Sequence, residues 1–345
     1  YPESVGTYVF ARERLGGWWG FAAGWCFVTG KTASCAAMAV TFGAYVLPGS
    51  TLGRRLLGVA AVAALTLVTI RGITRTARAT RALVVLSVGV LILVVALLLV
   101  EGDNDVDRLT AGDADAYGVL QSAGLLFFAF AGYARIATLA EEVREPARTI
   151  PRAIVTALAL VLALYLVVAL SALLAAGPDR LAASTAPLRT AVELGGAAWA
   201  KPVVAVGAAV ASLGALLALL AGVSRTTLAM ARNRDLPVRL EAVHAEHAVP
   251  RVAQLAVAAV VVVLVATLDL RGMIGFSSFG VLLYYALTNA SAWTQDAAHR
   301  RWPRALQALG VLGCVALAVT LPLASVLAAS GVLALGLVGR LVLRG

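Results

Sequence analysis

FFAFAGYARIATLAEEVREPARTIPRAI, residues Phe127 to Ile154, is the stretch that decides how the chain is read. It opens as an apolar run compatible with lipid, reaches Gly132, places Arg135 where hydrocarbon belongs, and ends in the mixed-charge segment EEVREPARTIPR. Glycine alone does not stop a helix, since it costs only about 1 kcal/mol in a helix interior. The combination of Gly132, which permits unwound backbone, with an ionisable residue just beyond it points to an interrupted helix. Backbone that is not helical survives at membrane depth only where protein or a water-filled cavity covers it. The segment is therefore expected to face inward, with its freed carbonyls and amides available to a ligand.

Composition supports a membrane setting. Hydrophobic residues make up 61% of the chain and charged residues 13%, against about a quarter charged in an ordinary soluble domain. The formal charge of +10 sits in short connectors between apolar runs rather than on one face, so membrane topology explains it better than nucleic acid does. Cys26, Cys35 and Cys314 fall inside apolar runs without CxxC or histidine spacing and read as small core residues, not as a metal or disulfide set. No phosphate-binding loop, nucleophile elbow or zinc pattern occurs, so neither an enzyme nor an ATP-driven pump is expected, and no cofactor.

Working outward, apolar runs extend from Trp18 to Leu47, Leu56 to Ile70, Ala82 to Val100, Gly118 to Ala140 (the interrupted one) and Ala153 to Ala176. A polar stretch with Pro178, Asp179 and Pro187 follows, with room for a short surface helix, and then runs from Val203 to Met230, Val252 to Leu268, Met273 to Trp293, Ala305 to Thr320 and Leu323 to Val338. About 20 residues cross the hydrocarbon, so the pattern predicts an all-α polytopic bundle of about ten transmembrane helices. The connector with Arg71, Arg75, Arg78 and Arg81 is basic and the next, from Glu101 to Tyr117, is acidic, which puts them on opposite sides. With the opening segment in the cytoplasm, most Lys and Arg fall inside, Arg54 and Arg55 excepted, and both ends of the chain are cytoplasmic in a plasma (inner) membrane.

The interrupted stretch resembles the sixth helix of the APC superfamily of amino acid, polyamine and organocation transporters. The match runs from Phe127 through Glu141, Glu142, Pro146, Arg148 and Pro151. Many relatives carry an acid just after the Gly-aromatic pair where this chain has Ala134. The opening YPESVGTYVFARERLGG resembles the cytoplasmic linker between the second and third helices, with Pro2, Gly6, Tyr8, Arg12 and Gly16 in order, so the first two helices are expected to be missing. SRTTLAMARNRDLPVRLEAVH resembles the segment after the eighth helix, and FSSFGVLLYYALTNASAW, with Ser277, Ser278, Tyr284 and Asn289, looks like a tenth helix lining the outer gate.

The resemblance implies a leucine-transporter-like fold with a five-helix inverted repeat in a single transporter domain. Residues 1–17 would be the linker, 18–100 the remainder of the first repeat, 118–293 the second repeat and 304–345 the accessory helices. It further implies secondary transport of an amino acid or amine by alternating access, with a co-transported proton or ion and the lipid bilayer as the other partners. An uncoupled exchanger has the same sequence features, and a transport-dead structural or sensory protein is the alternative should the first two helices be absent. In relatives the backbone of the break contacts the ligand and an aromatic closes over it, which assigns Phe130, Ala131, Gly132 and Tyr133 to substrate binding and Tyr133 or Phe130 to gating. The alternative for these aromatics is core packing.

Lys31 lies mid-span in WCFVTGKTASCAAMAV, and a lysine at the bilayer centre costs roughly 2.5–3.5 kcal/mol on insertion scales. With no Asp or Glu in the spans to pair with it, it must meet backbone carbonyls, lose its proton or meet a substrate anion. Its readings are carboxylate contact or proton coupling on one side, and a structural bond to a neighbouring helix on the other. Some proton-coupled relatives use a lysine on the fifth helix, where this chain has Ser87 or its neighbours. Arg135 is a second coupling or gating candidate, or a cap for the lower half-helix. Thr32 and Ser34 could present hydroxyls to a cavity or bond their own helix. Two deep cations favour a zwitterionic or acidic solute over a polyamine. His244 and His247, in a polar connector with Glu241 and Glu246, read as solvated loop residues rather than metal ligands.

Overall fold

A computed structural model describes residues 6–72, 77–109, 115–132, 145–243, 249–297 and 300–344. Each of the apolar runs holds a helix in its described part. The order is α1 (Thr7–Leu15), α2 (Gly17–Val46), α3 (Thr51–Ile70), α4 (Ala77–Glu101), α5 (Ala116–Phe130) and α6 (Pro146–Ala176). Two short helices, α7 (Pro178–Ala183) and α8 (Pro187–Leu194), lead to α9 (Lys201–Arg232), α10 (Arg251–Thr267), α11 (Leu270–Trp293), α12 (Arg304–Val319) and α13 (Leu323–Arg344). Among the described residues no strand occurs. Among the described residues six helices, α3, α4, α6, α9, α11 and α13, are long and apolar enough to cross a membrane, and α5, α10 and α12 are shorter apolar helices. The chain is a polytopic helical membrane protein.

Two boundaries depart from the sequence reading. The opening linker contains a helix, α1, which turns into α2 at Gly16, whose φ of +101° is backbone that suits glycine. Helix α6 begins at Pro146, not Ala153. Proline is favoured at a first helical position because its missing N–H has no intrahelical partner there, and the amides of Arg148 and Thr149 close the turn on the Glu145 carbonyl.

The contacts group segments from across the chain into two units, Tyr1–Cys35 with Asp115–Thr156 and Leu219–Gly345, and Ala36–Ala114 with Ala157–Ala218. The second is cored by Val94 and Leu98 of α4, Ala172 and Ala176 of α6, Val192 of α8 and Val204 of α9. In its acidic connector, Arg108 Nη1 donates to the carbonyls of Leu174 and Ala175 at 2.7 and 2.9 Å, capping the last turn of α6. A cation there also faces the negative end of the helix dipole.

The first unit is packed around α11, whose Phe279 and Leu282 meet Ala318 of α12 and Leu321 and Ala329 beyond it. At one end of this unit a single carboxylate collects three elements. Helix α9 closes with the amide of Arg234 on the Ala231 carbonyl and that of Asp235 on the Met230 carbonyl. This paired C-terminal closure needs a left-handed residue, here Arg234 at φ +59°. The turn aims Asp235, 1% exposed, back into the bundle. There Oδ2 accepts from the Tyr8 hydroxyl at 2.7 Å and from Arg12 Nη1 at 3.0 Å, and Oδ1 accepts from Arg340 Nε at 2.9 Å. Burial, and after it the Asp235 carboxylate, push the Tyr8 phenol above its ordinary range, so it stays a donor.

Removing one partner of a buried ion pair leaves the other charge uncompensated, at a cost of about 3–5 kcal/mol. Asp235→Asn is expected to destabilise by that order, seen as a lower melting temperature of the purified protein by tryptophan fluorescence. Arg12→Gln, which removes a partner that is 28% exposed, is expected to cost much less.

Candidate functional site

Helix α5 stops at Phe130. The Ala131 amide bonds to the Phe128 carbonyl in a tight turn, and Gly132 is exposed with open space where a side chain would stand. The turn is thus made by Ala131 and Gly132 together, and Gly132 is not among the residues with positive φ. Fifteen residues rise only about 22 Å, less than the ~30 Å hydrocarbon core, so the helix as described ends short of a full crossing. Tyr133, Ala134, Arg135, Glu141 and Glu142 lie outside the described residues.

The last carbonyls of a helix lack intrahelical partners. One of them, Ala131 O, accepts a hydrogen bond from Lys31 Nζ at 2.9 Å. Lys31 is 7% exposed and Ala131 6%, so the ammonium is held inside the protein. Of the three fates the sequence leaves open for Lys31, the structure shows the first, a backbone carbonyl, and that carbonyl belongs to the interrupted segment. The ammonium also stands at the negative end of α5's dipole, which favours it.

Helix α2 reaches this position because it crosses α11 at close range. A Cβ on Gly280 would meet the Cys26 carbonyl oxygen at 2.8 Å and the Gly30 Cα at 3.2 Å, so the two backbones touch one residue before Lys31. Beside the crossing, the Ser34 and Ser277 hydroxyls lie 2.7 Å apart. Thr32 donates to the Val28 carbonyl at 2.6 Å, so its hydroxyl serves its own helix in this structure. Phe127, Phe27, Tyr284 and Tyr285 pack around Ala131, Phe127 edge-on to Tyr285 at 5.6 Å and Phe27 against Tyr284 at 5.2 Å. Phe130 is half-buried in the last turn of α5.

Elsewhere the sequence candidates are dispersed. The Tyr284 hydroxyl accepts from the Thr7 amide at 3.3 Å, which ties it to the start of α1. Ser87 donates to the Leu83 carbonyl of its own helix at 2.8 Å. His244 and His247 lie outside the described residues. Among the described residues no group of three or more metal-ligating side chains occurs. Tyr8, Arg12, Asp235 and Arg340 are the constellation that sequence reading missed. NRDLP marks Asp235 as noteworthy, but nothing local links it to positions so far away in the chain.

The architecture is that of a multi-pass helical membrane protein, and residues 1–338 match the amino acid permease family. The chain belongs to that family. An uncharacterized transporter of Mycobacterium tuberculosis (strain ATCC 25618 / H37Rv) is 55% identical over 337 residues, covering 97% of this chain and 76% of its own length. The branched-chain amino acid permease BcaP of Bacillus subtilis (strain 168) is 24% identical over 341 residues, 90% of this chain and 71% of its own. The Asc-type amino acid transporter 1 of Mus musculus is 28% identical over 326 residues, 87% of this chain and 60% of its own.

Adding a methyl group at the α2–α11 crossing forces backbone apart, and overpacking of this kind costs about 1–3 kcal/mol. Gly280→Ala is expected to lower the melting temperature of the purified protein. Gly313→Ala, where a Cβ meets nothing within 4 Å, is expected to leave it unchanged or raise it slightly.

Proposed function

We propose that the protein is a secondary carrier of an amino acid or related small solute, working by alternating access around the end of α5. The observation that carries this reading is the bond from Lys31 Nζ to Ala131 O, 2.9 Å long and buried, at the broken end of the helix on which the family resemblance rests. A carbonyl freed by the break is an acceptor that a substrate ammonium needs. An incoming ammonium would displace Lys31, leaving that lysine to meet the substrate carboxylate or to give up its proton. Either outcome ties substrate binding to the charge on Lys31, which is how a proton gradient would be coupled to the cycle.

A resident cation also favours a zwitterionic substrate over a polyamine, because a polycation would be repelled from the same carbonyl. The permease names of two relatives, one for branched-chain amino acids and one of the Asc type, support an amino acid as the solute class. Phe130, Ala131, Gly132 and Tyr133 form the substrate-facing break in this proposal, with Thr32 beside Lys31, Arg135 and Tyr133 in gating roles, and an inverted five-helix repeat underlying the movement.

The test is uptake of a panel of radiolabelled amino acids into proteoliposomes of the full-length protein, with and without an imposed proton gradient. At least one zwitterionic amino acid is expected to accumulate faster with the gradient and to lose that gain on adding a protonophore. Lys31→Met is expected to flatten the pH dependence of uptake while leaving counterflow measurable. Equal counterflow with and without the gradient would mark an exchanger, and an unchanged pH profile in Lys31→Met would remove the lysine from coupling.

A further inference from the structure

The largest fully buried side chain among the described residues is a cation that uses one of its five N–H donors. Arg340 is 1% exposed. Its Nε donates to Asp235, yet Nη1 and Nη2 are both buried without an acceptor among the described residues. The guanidinium carbon lies 4.4 Å from the centre of the Trp18 ring and 5.1 Å from that of Phe21, so flat aromatic faces hold it and leave its edge free. Two guanidinium groups, Arg12 and Arg340, share the one Asp235 carboxylate, and the cluster is left with net positive charge.

That edge points to the start of a long helix. Nη2 is 3.2 Å from where a Cβ on Gly17 would stand, and Gly17 is the first residue of α2. The Gly20 amide bonded to the Gly16 carbonyl closes the first turn, so the amides of Gly17, Trp18 and Trp19 precede any intrahelical bond. Gly16 has no side chain with which to cap them. Unused amides at a helix start and unused guanidinium nitrogens therefore converge on a position that any residue larger than glycine would fill.

We propose that Arg340 and the first turn of α2 bind a phosphate group. The coplanar Nη1–Nη2 fork matches two phosphate oxygens, and the helix start offers amides and a positive dipole end to the others. Trp18, 46% exposed, covers the guanidinium and turns aside to admit the ligand. Trp18 and the 55% exposed Trp19 are residues of the kind that sit at headgroup level, so the phosphate comes from an anionic lipid or from free phosphate in the adjoining water. The site makes no use of the transport reading.

The experiment follows the tryptophan fluorescence and melting temperature of the full-length protein in detergent. Inorganic phosphate is compared with chloride at equal ionic strength, and phosphatidylglycerol with phosphatidylcholine, with lipid retention read by native mass spectrometry. A rise in melting temperature and a change in tryptophan emission with phosphate but not chloride assigns a soluble ligand. A response to phosphatidylglycerol alone, with its retention, assigns a headgroup. Gly17→Ala fills the cradle while keeping the Arg340–Asp235 pair, and Arg340→Lys keeps the charge while removing the fork; each is expected to weaken the apparent affinity at least tenfold. The absence of any response beyond chloride and phosphatidylcholine in the unaltered protein overturns the proposal, as does wild-type affinity in either variant. The comparison in the unaltered protein stands even where a variant does not fold.

Discussion

A helix end buried in protein must hand its last carbonyls to something other than water, and at the end of α5 the Ala131 carbonyl meets that constraint through Lys31. An unsatisfied backbone group in lipid costs several kcal/mol, and an isolated buried ammonium costs more. Ala131 O and Lys31 Nζ offset each other's cost in one 2.9 Å bond. Neither residue is at home alone. The pairing requires α2 and the end of α5 to sit beside α11, and it is the glycine contact of Gly30 with Gly280 that lets α2 approach. Backbone contact of this kind is how helices associate where lipid removes the hydrophobic drive between them.

The same logic organises the opposite kind of site, where the anion is the protein's own. Asp235 is turned into the bundle by a left-handed Arg234, and once inside it must be paired. Tyr8 and Arg12 come from α1 and Arg340 from α13, so one carboxylate fixes the first helix and the last to the end of α9. The α1 segment thereby acquires a fixed seat although its sequence has no continuous apolar face. Trp25 adds a further tie within this unit by donating to the Val332 carbonyl of α13 at 2.8 Å.

Most of the fold was legible because it is written in local terms. Long apolar runs, prolines and glycines bound the helices, and the runs beginning at Trp18 and Leu323 start within a residue of the helices found. The end of α5 close to Gly132 was legible too, since a glycine there permits the backbone to leave the helix. Legibility failed where the deciding contact is remote. The start of α6 was missed because its charged opening looks like a connector, while proline at the first position makes that opening helical. Lys31 could be recognised as needing a partner, but not which one, because Ala131 is identified only when three helices meet. Arg340 read as one more basic residue favouring the inner side, and its burial depends on Trp18, Phe21 and Asp235, all far away along the chain.

The two buried cations differ in a way that fits their settings. A guanidinium keeps its proton in any protein environment and binds through a rigid fork, so Arg340 suits a fixed joint with a carboxylate that is itself 1% exposed. A lysine ammonium is a compact charge on a flexible stem and gives up its proton when burial or a neighbouring cation disfavours charge. Lys31 donates to a neutral carbonyl, Ala131 O, a weaker partner than a carboxylate. Losing a bond to a neutral carbonyl leaves no anion behind, whereas the Asp235 pairs cannot be broken without leaving uncompensated charge in the bundle. The chain thus sets its carboxylate-paired guanidinium where α1, α9 and α13 meet, and its carbonyl-bound ammonium at the end of α5.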